Sequence, residues 1–370
     1  MDSGLFEHEY SFDSHSIFCM GRQETHPGHE MALTYTSSGF ETVLRGRRLV
    51  LTCESRYDTY PDDLRIIAGN MDRRVRLEKG VHDVELVNRQ DDSPILVRVL
   101  REVQPMRDDP ERLVVLKKLA TDGELTPPPG KTLKLECIGD SLTSGEGLGA
   151  EKGVQAWASH VFSTKGLWTQ VLAEKLDADL HQVSQSGWGV LCAWNNDPAG
   201  AIPLVYDQVC SVACGEGPKS FGMLQDNDFS EWQPDVIVVN LGTNDGNGFH
   251  QPPHVGPDGK AFKLRTGEDG RPLKDDLDLV RDAAKDFLCH LREKNPGAKL
   301  IWCYGMCGHE MENTLLAATE AYIQESGDAR CRYVSLPAVL PEELAANAHP
   351  GPACHEKAAA AVLRAIREME

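Results

Sequence analysis

No run of apolar residues in this 370-residue sequence approaches the roughly 18 to 20 that a helical membrane span needs, so no such span is expected. Positive charge is also scarce. Against 57 Asp and Glu stand 38 Lys and Arg, for a formal net charge of −19. Such a surface repels phosphate backbones and anionic lipid, so neither nucleic acid nor a membrane is an expected partner. The stretch Met1–Phe12 is acidic and polar, without the basic region and following apolar segment of an export signal. The cysteine count of 11 is odd and would leave a thiol unpaired under oxidising conditions. Together these absences predict reduced cysteines and a cytoplasmic location. Common zinc spacings are missing too. Cys210 with Cys214, and Cys303 with Cys307 and His309, follow C-x3-C rather than C-x2-C. Buried small hydrophobes are the simpler reading, and no metal or cofactor is expected.

What is present is a chain long enough for two domains, with 41% hydrophobic residues to fill their cores. Short segments rich in Val, Ile, Leu and Thr occupy Met31–Tyr35, Glu41–Leu44, Arg48–Cys53, Leu64–Ala68, Asp83–Asn88 and Ile95–Val103. Turn-forming residues separate them, such as Arg45-Gly46-Arg47 and Ala68-Gly69-Asn70. This rhythm predicts an all-β sandwich or jelly roll. Thr126-Pro127-Pro128-Pro129-Gly130 then breaks regular structure, which places a boundary between domains 1–128 and 129–370.

Beyond the prolines, strand and helix patterns alternate. Leu133–Ile138, His181–Ser184, Val236–Leu241, Lys299–Tyr304 and Cys331–Leu336 read as strands. Leu167–Leu176, Leu277–Lys294, Glu310–Glu325 and Glu356–Met369 read as helices. That alternation predicts an α/β layer on a parallel sheet, with reactive groups beyond the carboxyl ends of the strands. Residues 246–273 form the longest irregular loop.

Four short blocks fall at such ends. Gly139-Asp140-Ser141-Leu142 follows the first strand of the second half, where a serine projects from the sheet edge. Ser186-Gly187-Trp188-Gly189 and Gly242-Thr243-Asn244-Asp245 come after later strands, and Asn347-Ala348-His349-Pro350 precedes the terminal helix. Ser141 is the candidate nucleophile and His349 its base, because a neutral hydroxyl needs an adjacent proton acceptor. The Ser141 and Gly187 N–H groups and the Asn244 amide are candidate oxyanion donors. Asn244 also reads as a turn cap. Trp188 and Asp245 are candidate substrate contacts, although Trp188 reads equally as core and Asp245 as an organiser of its loop. Trp157 and Trp194 read as packing residues, and His309 and His355 are rival bases.

The four blocks, in this order, resemble those of the SGNH (GDSL-type) hydrolase superfamily over roughly residues 133–370. The resemblance implies a three-layer α/β sandwich with a parallel sheet. A β-sandwich ahead of it looks like carbohydrate esterase family 2, whose members remove acetyl groups from plant polysaccharides. One departure stands out. The superfamily usually carries Asp two or three residues before the histidine, whereas Asn347 and Ala346 stand here. Some members of carbohydrate esterase family 2 likewise work as Ser–His dyads with a backbone carbonyl as acceptor. The resemblance therefore implies a Ser141–His349 dyad, with Glu342 or Glu343 as the alternative acceptor. The expected activity is removal of O-acetyl groups from xylan- or mannan-type oligosaccharides. The alternatives are a lipase or thioesterase of the same superfamily, or a carbohydrate-binding protein with a decayed site.

Overall fold

The computed structural model describes residues 6–22 and 29–369, so the first five residues of the polar Met1–Phe12 stretch lie outside the described part. The chain divides into two compact units, Met1–Lys131 with Gln208–Asn227, and Thr132–Asp207 with Asp228–Glu370. Among the described residues, no helix is long and apolar enough to cross a membrane.

The first unit is antiparallel β. Its strands are β1 (His8–Tyr10), β2 (Phe18–Met20), β3 (Met31–Leu33), β4 (Gly39–Arg45), β5 (Arg48–Arg56), β6 (Asp62–Ala68), β7 (Met71–Leu77), β8 (Gly80–Asn88), β9 (Ile95–Arg101), β10 (Leu113–Thr121) and β11 (Glu124–Thr126). One sheet has the order β1-β10-β5-β8 with β3 also on β10, and the other β11-β4-β9-β6-β7 with β2 on β4. Alternation decides the faces: Leu51 and Cys53 of β5 are wholly buried, while Thr52 and Glu54 that alternate with them are partly exposed. Phe40, Ile66 and Val99 of the second sheet join the same core as Leu49, Leu51 and Leu116 of the first, which makes the unit a β-sandwich. Each such side chain contributes about 1.5–3 kcal/mol by leaving water. Strand β7 escapes a hydrophobicity reading because Asp72, Arg73, Arg74 and Arg76 fill it. It is an edge strand, where charge guards an open ladder, and Arg74 and Arg76 pair with Asp63 at 2.5 and 2.8 Å.

The unit ends near the triple proline, but its composition departs from the 1–128 and 129–370 division. The segment Gln208–Asn227 belongs to it. Glu111 accepts from the Glu216 and Gly217 N–H groups at 2.8 and 2.9 Å, and Arg22 donates to Gln208 O at 2.9 Å. Contacts spanning some hundred residues or more leave no local mark on the sequence.

The second unit begins with β12 (Leu133–Gly139), α1 (Ser141–Ser144), α2 (Trp168–Leu176) and β13 (Ala178–Ser184). After the excursion that carries α3 (Glu216–Ser220), it resumes with β14 (Val236–Asn240), α4 (Thr243–Gly248) and the hairpin β15 (His254–Val255) and β16 (Ala261–Phe262). It closes with α5 (Lys274–Lys294), β17 (Lys299–Tyr304), α6 (Glu312–Ser326), β18 (Cys331–Ser335) and α7 (Pro352–Arg367). The sheet runs β13-β12-β14-β17-β18, every pair parallel. α2 packs with α7 and α5 with α6, giving the α/β three-layer architecture. Val236 to Asn240 are all buried, as strands covered on both faces require. In α5, Val280, Ala284, Phe287, Leu288 and Leu291 form one buried stripe at helical spacing.

Strand register brings the sequence blocks to one edge. Gly139 pairs with Ser184 on one side and Asn240 on the other, so three strands end level. The next residues of each carry Ser141, Gly187 and Asn244. The strand order puts this edge where neighbouring connections diverge, the usual crevice of open parallel sheets.

Candidate active site

Ser141 opens α1, whose first turn is capped by Asp140: its carboxylate accepts from Leu142 N–H at 3.0 Å. Gly145 ends the helix in the left-handed conformation and turns the chain back beneath the serine. His349 arrives from the other end of the second unit, ahead of the Pro350-Gly351-Pro352 start of α7. Its Nε2 lies 2.8 Å from Ser141 Oγ, and its Nδ1 lies 2.9 Å from Asn347 O. A carbonyl only accepts, so Nδ1 carries the proton and Nε2 is left to accept from the serine hydroxyl.

That carbonyl is aimed by strained backbone. Asn347 and Ala348 both adopt positive φ, 53° and 55°, which costs L-residues free energy unless neighbours enforce it. Asn347 is held on every polar atom: its N–H donates to Val154 O at 2.8 Å, its Oδ1 accepts from Ala156 N–H at 2.9 Å, and its Nδ2 donates to Ala156 O at 2.9 Å. The same Nδ2 donates to Glu146 Oε1 at 2.8 Å. Glu343 is engaged elsewhere, with Lys357 and with Leu340 N–H at 3.2 Å, so it does not orient the ring. Glu342 lies on the exposed surface.

The level strand ends bring the candidate oxyanion donors to the same sheet edge as the serine. Among the described residues, neither the Ser141 nor the Gly187 N–H donates to a protein group. Gly187 has φ of 79°, and a Cβ there would stand 2.9 Å from Trp194 Cδ1, so glycine is required twice over. Asn244 Nδ2 lies 2.9 Å from Trp188 O and 3.3 Å from Asp140 Oδ2. It thereby ties the second block to the first, and reaches an oxyanion only by releasing the longer contact.

Two sequence expectations for substrate contact are corrected. Asp245 is wholly buried, and its carboxylate accepts from Val190, Leu191 and Cys192 N–H groups at 2.9, 2.8 and 3.2 Å. It organises its loop. Trp188 is 7% exposed and belongs to the packing beneath the site. The aromatics open to solvent are Trp194 and Trp157, 48% and 41% exposed, although both read as packing residues from the sequence. Trp194 N–H donates to Gly187 O at 2.9 Å, and Trp157 comes directly after the Ala156 that clamps Asn347. Only the tertiary arrangement distinguishes a buried Trp188 from an open Trp194.

The rival histidines are otherwise engaged. His355 is wholly buried, its Nδ1 accepts from Trp168 N–H at 3.2 Å, and burial lowers its pKa to about 3. His309 pairs with Glu312 at 3.0 Å. Missed altogether by sequence reasoning was Glu146, 6% exposed, whose Oε2 stands 3.7 Å from His349 Nε2. Burial, with Asp245 and Glu146 nearby, pushes the Asp140 carboxyl up to about 7. Among the described residues, no three His, Cys, Asp or Glu side chains gather as metal ligands. Cys210 and Cys303 are buried, whereas Cys214 and Cys307 are exposed.

The model of the GDSL-like Lipase/Acylhydrolase family matches residues 137–357. The solved structure of an acetyl xylan esterase from the rumen bacterium Butyrivibrio proteoclasticus is 35% identical, with a TM-score of 0.93 and 98% of both chains covered. A family two carbohydrate esterase from Clostridium thermocellum, solved with cellohexaose, shares the fold at 19% identity, TM-score 0.78, over 95% of this chain and 98% of that one. An acetylxylan esterase / glucomannan deacetylase of Cellvibrio japonicus is 24% identical over 62% of this chain and 61% of its own length. A cellulase/esterase of Acetivibrio thermocellus is 24% identical over 55% of this chain, a match spanning 21% of that protein. The chain thus spans less than two thirds of the length of either curated relative. With the family model matched over more than half of the sequence, the chain belongs to the GDSL-like Lipase/Acylhydrolase family, and similar solved structures include family two carbohydrate esterases.

Proposed function

We propose that this protein removes O-acetyl groups from xylan- or mannan-type oligosaccharides, through an acetyl-enzyme formed by a Ser141–His349 dyad. The observation that carries the reading is the Nε2–Oγ distance of 2.8 Å, with Nδ1 satisfied by a backbone carbonyl. In this reading the Ser141 hydroxyl gives its proton to His349 Nε2 as Oγ bonds to the acetyl carbonyl carbon. Charge gathering on the carbonyl oxygen meets the Ser141 and Gly187 N–H groups, with Asn244 as a third donor. Such preorganised donors are usually the largest catalytic contribution. Collapse of the intermediate expels the sugar oxygen, which takes the proton from Nε2. A water that gives its proton to the same nitrogen then attacks the acetyl carbon, and acetate leaves as Nε2 returns that proton to Ser141 Oγ.

A carbohydrate substrate is supported by the open faces of Trp194 and Trp157, since sugar rings stack on exposed indoles through their C–H faces. Similar proteins named as acetyl xylan esterase and glucomannan deacetylase support the acetyl group and the two backbones. All eleven cysteines are free thiols, which suits a reducing cytoplasm and oligosaccharides small enough to have been imported.

Acetate release from acetylated xylo- and manno-oligosaccharides tests the proposal, with Ser141→Ala as the inactive control. Cleavage confined to long-chain aryl esters would transfer the protein to the lipases and thioesterases. Tight sugar binding without turnover would mark a decayed site.

A further inference from the structure

We propose that Glu146 supplies the carboxylate that the histidine block lacks, facing His349 from the Nε2 side of the ring while holding Asn347 in place behind it. The inference rests on the reading of Ser141 and His349 as nucleophile and base.

Glu146 is placed by the nucleophile's own turn. Its N–H donates to Ser141 O at 3.1 Å, immediately after the left-handed Gly145. Gly147 then passes close behind the histidine: a Cβ there would stand 2.6 Å from His349 Cβ, and Gly147 O accepts from Ala346 N–H at 3.3 Å. The serine turn and the histidine loop therefore interlock through residues 145–147. The two Glu146 oxygens face different partners. Oε1 accepts from Asn347 Nδ2 at 2.8 Å, and Oε2 lies 3.7 Å from His349 Nε2. The side chain is 8% exposed, so solvent screens the charge little.

The geometry gives one side chain two effects. When the Ser141 proton moves to Nε2 and Oγ bonds to the carbonyl carbon, the carbonyl electron pair goes to the oxyanion and the ring becomes imidazolium. The Glu146 carboxylate lowers the free energy of that cation. No proton passes to it, because Nε2 must return the proton to the leaving sugar oxygen. Through Asn347 the same carboxylate steadies the carbonyl that receives Nδ1–H. Glu146 is a positioning residue, acting through His349.

Titratable groups that interact with this cluster include His355 and Asp140. Burial pushes His355 on α7 to about 3, which leaves it neutral. Asp140 at the cap of α1 is pushed up to about 7. Among the described residues, Glu146 is the carboxylate in ion-pair range of the His349 ring.

Glu146→Gln separates the two effects, because its amide oxygen can still accept from Asn347 while the charge is gone. On 4-nitrophenyl acetate, E146Q is expected to lower kcat about tenfold with KM within about twofold. The acid limb of its kcat/KM profile should move to lower pH, because a neutral amide in place of the carboxylate no longer favours the imidazolium. Glu146→Ala, which also frees Asn347, should lose about a further tenfold. The His349 imidazole midpoint, followed by NMR in wild type and E146Q, reads the same charge without any turnover. A lowered midpoint in E146Q upholds the proposal even if acetylated sugars prove not to be substrates. Identical midpoints and identical acid limbs in the two proteins would overturn it.

Discussion

His349 donates its Nδ1–H to the carbonyl of Asn347, two residues earlier in the same loop, at 2.9 Å. The acceptor that the resembled superfamily usually takes from an aspartate side chain is here main chain, held by a side chain pointing away from the ring. A sequence comparison would suggest restoring the carboxylate with Asn347→Asp. The structure predicts the opposite. Position 347 faces Ala156 O and Glu146 Oε1, both acceptors, so an aspartate would lose two donor contacts and meet a like charge. N347D should lower kcat/KM on aryl acetate by about tenfold or more, and a gain in activity would refute the geometry.

Gly187→Ala should be as damaging as loss of an oxyanion donor, about 100-fold or more in kcat. The added methyl meets Trp194 Cδ1 at 2.9 Å and a φ of 79° becomes strained. Thermal stability should fall only modestly beside that loss, and kinetics on 4-nitrophenyl acetate with a melting curve checks both.

Trp194→Ala is expected to separate substrates by size. Its open indole face would serve an oligosaccharide but has little to offer a small aryl ester. KM for acetylated oligosaccharides should rise about fivefold to tenfold, consistent with the loss of about 1 kcal/mol of stacking. Constants for 4-nitrophenyl acetate should change by less than about twofold. Equal effects on both substrates would remove Trp194 from the binding surface.

Asp140 predicts an unusual pH dependence. Its carboxyl keeps a proton up to about pH 7 in the folded protein, while the unfolded chain releases it near 3.8. Between those values the folded state binds more protons, so this group's contribution to stability is greatest at low pH and is lost as pH rises toward 7. Urea midpoints measured from pH 4.5 to 7 should therefore fall for wild type relative to Asp140→Asn. A constant difference between the two proteins across that range would contradict the assignment.

In the first unit, Asp62 lies between two buried guanidinium groups, 2.8 Å from Arg101 and 2.9 Å from Arg112. Burial already lowers Arg112 to about 10. Asp62→Asn leaves two cations facing an uncharged amide and should cost about 3–5 kcal/mol, the range for breaking a buried pair. Chemical denaturation followed by the unit's own unfolding transition would measure it. A change below about 1 kcal/mol would show that the backbone carbonyls around Arg112 suffice.

Much of the second unit was legible in the order of its residues. Val236 to Val239 is an uninterrupted apolar run and α5 a clear helical stripe, because elements covered by a layer on each side or packed on one face must show those patterns. The serine and histidine blocks were legible for a similar reason: each is a short local turn that needs its own residues in order. Strand β7 was not, since an edge strand is written in charges. Nor was the Gln208–Asn227 excursion, whose partners lie some hundred residues or more away.

By itself, then, the sequence determined the strand and helix alternation, the four blocks and the chemistry their residue types allow, since periodicity and turn composition are local properties. The tertiary structure decided which tryptophan is open, that Asp245 serves its loop, and that a carboxylate from the serine turn stands beside the histidine. Those facts depend on three parallel strands ending level and on the loop at residue 347 meeting the serine turn through Glu146. Burial and proximity between distant segments are set by packing, and no spacing of residues along a chain encodes them.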